Sequence, residues 1–203
     1  MLSIGFDGDG TIVDSCSWSW RAAERILAGF GVAASISSPE GMDAAFGSAA
    51  QAALVGAEHC ATLRQMHRLL MRRAAPEIGV FQEVVDVIAA LPGTKTLVTA
   101  ALSDGIATCL GGHARMFDRI VGFDHGRKPD LLARFASRFD LFVTDTGVDV
   151  EDCKALGIPV VACAWGYDSL PILAASKPDA IVQSPAELAR HIHHFTKETS
   201  HDL

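Results

Sequence analysis

The chain has 203 residues, of which 49% are hydrophobic and 20% are charged, so it is long enough for one or two globular domains. Its formal net charge is −7. That charge offers no basic surface for nucleic acid or an anionic membrane, and no apolar run approaches the roughly 18 residues of a membrane span. We therefore expect neither a nucleic-acid partner nor a membrane. The sequence leaves the oligomeric state open.

Cysteine usage and the N-terminal segment favour a cytoplasmic protein. The five cysteines are odd in number and form no C-x-x-C pair, which is typical of reduced, buried thiols. The N-terminal segment lacks a basic region and reaches Asp7 too early for a secretion signal.

The first predicted element is a buried strand over residues 2–6, a short apolar run that ends in a glycine-rich turn. Two carboxylates, Asp7 and Asp9, follow the strand directly, and Gly10 allows a sharp turn. The carboxyl ends of parallel strands are where ligands bind in such sheets. Two neighbouring acids there repel each other unless a cation or a proton offsets their charge. This segment therefore predicts a catalytic or ligand-binding site at the end of the first strand.

From Ser15 to about Ala75 the pattern changes to helices without a convincing strand. Two segments carry apolar residues at helical spacing, and Ser38-Pro39 opens a short helix between them. These apolar residues are Trp20, Ala23, Leu27 and Phe30, with Gly31 as a stop signal, and then Leu63, Met66 and Leu70. We predict a helical cap domain over residues 16–75, inserted after the first strand.

From Pro76 onward, strands and amphipathic helices alternate, which indicates β-α units around a mainly parallel, doubly wound sheet. Predicted strands cover residues 96–99, 120–123, 141–144, 158–163 and 180–182. One predicted helix covers residues 81–88, and another ends near Gly157. Three more begin at Ser103, at Pro129 and at Pro185, and the one from Pro129 carries Leu132, Phe135 and Phe139. Residues 1–15 and 76–203 form the predicted α/β core domain, and the polar tail from residue 196 is expected to fray.

Four further polar residues lie at strand ends or helix starts of this prediction: Thr99, Lys128, Asp145 and Asp149. Each has a structural alternative. A D-x-D after a strand often serves a turn or a helix cap, and Thr99 is also a suitable β-branched strand residue. Lys128 could be a solvated helix-start residue, and Asp149 could cap its helix. Their order along the chain favours a common site.

In this order the motifs resemble those of the haloacid dehalogenase superfamily, and specifically its phosphoglycolate-phosphatase-like phosphatases with a small helical cap. Residues 7–11 resemble the first motif, D-x-D-G-T, and Leu97-Val98-Thr99 resembles the second. Lys128-Pro129-Asp130 is similar to the third motif, and residues 143–149 to the fourth, G-D-x-x-x-D. The chain departs from the family at Thr144, where Gly is usual, at Gly8, and at Ala100-Ala101.

The resemblance implies a Mg²⁺-dependent phosphatase that works through an aspartyl-phosphate. Asp7 would be the nucleophile, and Asp9 would exchange protons with the leaving group and water. Thr99 and Lys128 would bind the phosphoryl oxygens, with Ala100 at the same turn. Asp7, Asp145 and the backbone carbonyl of Asp9 would hold the ion.

In the same scheme Asp149 would orient water bound to the ion. Phosphoglycolate or a small sugar phosphate is the implied substrate class.

Three alternatives remain open at this point. A phosphomutase would protect its phosphorylated aspartate from water, and a 2-haloacid dehalogenase would not need an acid at Asp9. A non-catalytic binding or regulatory protein could keep the fold, and Thr144 is the feature that favours it. His191, His193 and His194 are interpreted as an exposed helix face, as are the arginines of the cap.

Overall fold

The computed structural model describes residues 2–199, with side chains described through Phe195. Its centre is a six-stranded sheet in which all neighbouring strands are parallel, in the order β3-β2-β1-β4-β5-β6. The strands are β1 (Ser3–Phe6), β2 (Thr94–Val98), β3 (Arg119–Val121), β4 (Leu141–Thr144), β5 (Val160–Cys163) and β6 (Ala180–Val182). The predicted doubly wound parallel α/β fold is confirmed.

Ten α-helices are present in the described part of the chain. Five of them lie between β1 and β2 in the sequence, and the first four of these form a separate layer. These four are α1 (Cys16–Gly29), α2 (Pro39–Phe46), α3 (Ser48–Val55) and α4 (Cys60–Ala74). The other six are α5 (Gln82–Ala90), α6 (Ser103–Leu110), α7 (Lys128–Phe135), α8 (Gly147–Ala155), α9 (Leu170–Ser176) and α10 (Pro185–Thr199). Among residues 2–199 no helix is both long and apolar enough to cross a membrane.

Helices cover both faces of the sheet because its strands are apolar on both sides. In β4, Leu141 and Val143 pack into a cluster with α5, α6 and α10, whereas Phe142 packs into a second cluster with α7, α8 and α9. The alternation follows the two-residue period of a strand. Both clusters leave the carboxyl edge of the sheet open for polar side chains.

The four helices α1–α4 have a small apolar core of their own. Ala23, Leu27 and Leu63 are buried in it, and α1 packs along α4. Ser38 caps α2 by accepting a hydrogen bond from the Gly41 amide at 3.0 Å. This arrangement supports the division into a core (1–15 and 76–203) and a cap (16–75), which we retain as a proposal.

Several predictions about individual elements were wrong. Helix α7 ends at Phe135, so Phe139 lies beyond it, after a 3₁₀ turn over Ala136–Arg138, and packs on Phe142 of the sheet. Phe30 is 46% exposed because it lies just beyond the end of α1 at Gly29, and Met66 on α4 is 39% exposed. Helices α3 and α9 were not predicted. The remainder of the tail predicted to fray, residues 200–203, lies outside the described residues.

Candidate active site

The predicted site residues come together at the carboxyl edge of the sheet. Asp7 directly follows β1, Thr99 follows β2 and Asp145 follows β4. Since β1 lies between β2 and β4, these three ends are neighbours in the sheet. The chain connections change direction at β1 and β4, which is the switch point where open α/β sheets bind ligands.

Lys128 links Asp7 to Asp149 through two short ion pairs. Its Nζ lies 2.7 Å from Oδ1 of Asp7 and 2.5 Å from Oδ2 of Asp149. All three side chains are buried, at 9% exposure or less. The Thr144 hydroxyl donates a hydrogen bond of 2.6 Å to the same Asp149 oxygen. Asp149 therefore has two donors on one oxygen, and Lys128 is held between two carboxylates.

Asp145 is held by the loops around it. Its Oδ1 accepts a hydrogen bond from the Thr11 hydroxyl at 2.6 Å, and its Oδ2 accepts one from the Tyr167 amide at 2.7 Å. A Cβ atom at Gly10 (φ +74°) or at Gly166 would collide with this carboxylate, so both positions require glycine for close approach. Asp145 is consequently fixed before any ligand arrives.

Asp9 and Thr99 form the remaining edge of the site. The Thr99 hydroxyl donates to Oδ2 of Asp9 over a long 3.4 Å and accepts from the Ala101 amide at 3.0 Å. Ala100, between them, lines the same cavity as Asp7 and Lys128. The structure thus brings together every predicted catalytic and phosphate-binding residue.

Burial and mutual repulsion raise the pKa values of the acids. Burial raises the pKa of Asp7 well above its usual value against the opposing charge of Lys128, while Asp149 and Asp145 raise it further. Burial raises the pKa of Asp145 to about 7 and also raises the pKa of Asp9. For Lys128, burial lowers the pKa, but Asp149 and Asp7 outweigh burial and keep it above its ordinary value. The site therefore holds more negative charge than one ammonium can balance.

That imbalance and the oxygen donors fit a hard divalent cation. Asp7 and Asp145 have carboxylate oxygens at adjacent strand ends, whereas the side chains of Asp9 and Asp149 are engaged by Thr99 and Lys128. Within residues 2–199 no three acidic, histidine or cysteine side chains are grouped closely enough to define a metal centre by themselves. Asp7 and Asp145 would therefore need backbone and water oxygens to complete the coordination.

A cavity of about 490 Å³ lies over these residues, between the core and the helices α1–α4. From the cap it is lined by Ser19, Met42, Phe46, Gln51, Arg64, His67, Arg68 and Met71. His67 is fixed by contacts of its Nε2 with the hydroxyl and the carbonyl oxygen of Ser19, both at 3.1 Å. Arg64 reaches Gln51 at 3.4 Å.

Two arginines of α4 connect the cap with the core. Arg68 donates to the Ala100 carbonyl oxygen at 2.9 Å and stacks over the Phe123 ring, and Arg72 forms an ion pair with Asp104. The cap arginines were expected to form mostly a solvated helix face, and Arg72 is indeed 52% exposed, whereas Arg68 packs against the core.

Sequence reasoning assigned no role to Thr11, Tyr167, His67 or Gln51. Thr11 belongs to a recognised motif, and Tyr167 to a short aromatic run after β5, so both had a weak signal. Tyr167 acts through its backbone amide, which no side-chain pattern reveals. Gln51 lies on α3, a helix that the sequence did not predict.

Comparison with known proteins agrees with these motifs. No family model matches the chain. Phosphoglycolate phosphatases from Salmonella choleraesuis and Salmonella typhimurium are each 27% identical to it, over 89% of this chain and 88% of their own. The chain is therefore similar to haloacid dehalogenase-like hydrolases. It is similar to the phosphoglycolate-phosphatase-like phosphatases and is accordingly an enzyme of the phosphatase type.

Solved structures share the fold of this hydrolase. A predicted phosphatase from Clostridium acetobutylicum has a TM-score of 0.78 at 20% identity, over 95% of this chain and 98% of its own. A haloacid dehalogenase-like hydrolase from Streptococcus pneumoniae has a TM-score of 0.76 at 20% identity, with the same coverage of both chains. A putative beta-phosphoglucomutase from Thermotoga maritima has a TM-score of 0.62 at 16% identity, over 96% of this chain and 99% of its own. At these identities the likeness concerns the fold.

Proposed function

We propose that this hydrolase cleaves small phosphomonoesters with Mg²⁺ as cofactor, through a phosphorylated Asp7. The observation that carries the proposal is the environment of Asp7. Its Oδ1 accepts from the Gly8 amide at 2.7 Å and pairs with Lys128 at 2.7 Å. No hydrogen bond within the described residues reaches Oδ2, and Asp7 lines the cavity. One carboxylate oxygen is thus anchored, and the other is available to a ligand.

In the proposed reaction, Oδ2 of Asp7 attacks the phosphorus atom, and the bond to the leaving oxygen breaks. Lys128 and Thr99 donate to the phosphoryl oxygens as negative charge shifts onto them. Water then attacks the phosphorus, inorganic phosphate leaves, and Asp7 is restored as a carboxylate. Burial raises the pKa of Asp7, and the Lys128 charge acts against burial in favour of the ionised form that the attack requires. A bound Mg²⁺ would favour that ionised form further.

Asp9 is the proposed acid and base in this scheme. Burial raises its pKa, which favours the protonated form needed to protonate the leaving alkoxide. The resulting carboxylate then takes a proton from the attacking water. A dehalogenase does not need this acid, so the presence of Asp9 at the site argues for the phosphatase.

Mg²⁺ would be held by carboxylate oxygens of Asp7 and Asp145 and by the backbone carbonyl of Asp9. When bound, it would neutralise the excess negative charge and draw the phosphate ester to Asp7. Asp149 keeps its proposed role of orienting water near the ion, because only Oδ2 of this carboxylate receives Lys128 and Thr144.

The cap side of the cavity would contact the leaving group. Arg64 and His67 offer polar groups there, while Met42 and Phe46 add an apolar wall. Phosphoglycolate or a small sugar phosphate remains the proposed substrate class, supported by the relatives' names. For the compartment we propose the cytoplasm, supported by five cysteines that are all free.

The test is a panel of phosphomonoesters, including 2-phosphoglycolate and small sugar phosphates, with phosphate release measured with Mg²⁺ and with EDTA. We expect release from several of them, lost in EDTA and restored by added Mg²⁺. Asp7→Asn should abolish turnover, because the amide cannot attack phosphorus. Asp14→Asn is the matched control, since Asp14 is exposed and does not line the cavity.

The same assay separates the alternatives. Isomerised sugar phosphate without net phosphate release would identify a phosphomutase, and halide release from a 2-haloacid would identify a dehalogenase. Absence of turnover across the panel, in protein that binds Mg²⁺ and is folded, would favour the non-catalytic binding protein and refute the proposal.

A further inference from the structure

Thr144 is the last residue of β4 and occupies the position where the fourth motif of the superfamily usually has glycine. Its side chain is completely buried. A buried hydroxyl without a partner costs free energy, which a glycine would avoid. This chain therefore carries a polar group that the fold itself does not need.

The hydroxyl has a partner on each side. It accepts from the Thr146 amide at 3.4 Å and donates to Oδ2 of Asp149 at 2.6 Å. A hydroxyl has a single proton, so accepting from the amide directs that proton towards the carboxylate. A hydrogen bond of this length to an ionised oxygen belongs to the stronger class in proteins.

Asp149 in turn fixes Lys128. The Asp149 oxygen that receives Thr144 also receives Lys128 at 2.5 Å, and Lys128 extends from there to Asp7 at 2.7 Å. The contacts form a continuous line from Thr144 through Asp149 and Lys128 to Asp7. Without the hydroxyl, this oxygen of Asp149 would keep only the flexible ammonium as its donor.

We propose that Thr144 is a positioning residue, whose hydroxyl orients Asp149 so that Lys128 stays directed at Asp7 and at the bound phosphoryl group. This inference rests on the proposed phosphatase function. It gives the departure from the family pattern a role in phosphate binding. Thr144 itself does not line the cavity, so it would act through Asp149 and Lys128 and not by contact with the substrate.

The test compares Thr144→Val, which keeps the shape but loses the hydroxyl, with Thr144→Ser, which keeps the hydroxyl. We expect Thr144→Val to lower kcat/KM for p-nitrophenyl phosphate about tenfold or more, as loss of a hydrogen bond to a charged group does. Thr144→Ser should stay within about threefold of the wild type. The second readout is the dissociation constant of orthovanadate with Mg²⁺, which should rise about tenfold in Thr144→Val and recover in Thr144→Ser.

Two controls keep the result decisive. Thr96→Val makes the same change at a buried threonine of β2 that does not line the cavity, and it should leave both readouts unchanged. If Thr144→Val does not fold, Thr144→Gly takes its place with the same expected losses, because glycine adds no atoms to the site.

A folded Thr144→Val with wild-type orthovanadate affinity and wild-type kcat/KM would overturn the inference, even if its melting temperature fell. A wild-type enzyme that hydrolyses no phosphomonoester would instead refute the underlying function. In that case the orthovanadate measurement still decides whether Thr144 positions the anion site.

Discussion

Replacing Lys128 by Met should destabilise the metal-free protein strongly, because it removes the only cation between two buried carboxylates among the described residues. Lys128 pairs with Asp7 at 2.7 Å and with Asp149 at 2.5 Å. Removing one partner of a buried ion pair typically costs about 3–5 kcal/mol, since the remaining charge is left uncompensated in a poorly solvated site. We expect a loss of this size at pH 7.5 in EDTA, measured by urea denaturation.

The loss should become smaller at acidic pH. Lys128 stays protonated in both the folded and the unfolded protein at every pH well below its unfolded pKa. Its own titration therefore does not change the free energy of unfolding between pH 5 and 7.5. The pKa of Asp7 in the folded protein is raised by burial, so its contribution to stability is present at low pH and is lost as pH rises. Without Lys128 no cation offsets the ionised Asp7, so stability falls more steeply as pH rises. The difference in free energy of unfolding between the variant and the wild type therefore grows from pH 5 to 7.5.

Lys154→Met, at an exposed lysine, is the matched control and should change the free energy of unfolding little. A Lys128→Met protein as stable as the wild type at pH 7.5, or equally destabilised at both pH values, would refute this account of the site. Activity should also be lost, but that loss alone would not test the charge argument.

Two further predictions concern Asp145. Gly10→Ala should lower the free energy of unfolding by about 1–2 kcal/mol through its positive φ alone, and it should abolish activity by displacing Asp145. Gly29→Ala, with open space at Cβ, should have neither effect. Urea denaturation and phosphate release check both variants. For the wild type in EDTA, stability should fall between pH 5 and 8, because the folded pKa of Asp145 is raised to about 7 and its neutral form is the stabilising one. Added Mg²⁺ should therefore raise the melting temperature more at pH 8 than at pH 5, and an equal shift at both would contradict this.

Much of the core could be predicted from the sequence because its strands are short apolar runs with polar ends. Leu141–Thr144 and Ala180–Val182 have the predicted bounds, and Ser103 begins a helix as expected. Helix α9 was missed because Leu170–Ser176 has only seven residues, too few to show a helical period. Phe139 was misplaced because its spacing fits a helix that in fact ends one turn earlier.

For the site, the sequence identified the residues but not their pairing. Asp149 was predicted near water and the ion, and its actual contacts with Lys128 and Thr144 depend on how α7 and α8 pack, which spacing does not encode. The cap contribution was less predictable still. His67 and Gln51 reach the cavity through the tertiary arrangement of α1, α3 and α4, and nothing in their local sequence marks them.

The contact of Arg68 with the Ala100 carbonyl oxygen has a consequence for how the cap moves. Ala100 follows Thr99, whose hydroxyl is the proposed phosphate ligand, so swinging α4 away from the core means breaking a bond to the phosphate-binding turn itself. The carbonyl group of Ala100 thereby links the cap to the phosphate-binding turn. Movement of α4 away from the core would therefore also release the turn that follows Thr99 from its contact with Arg68.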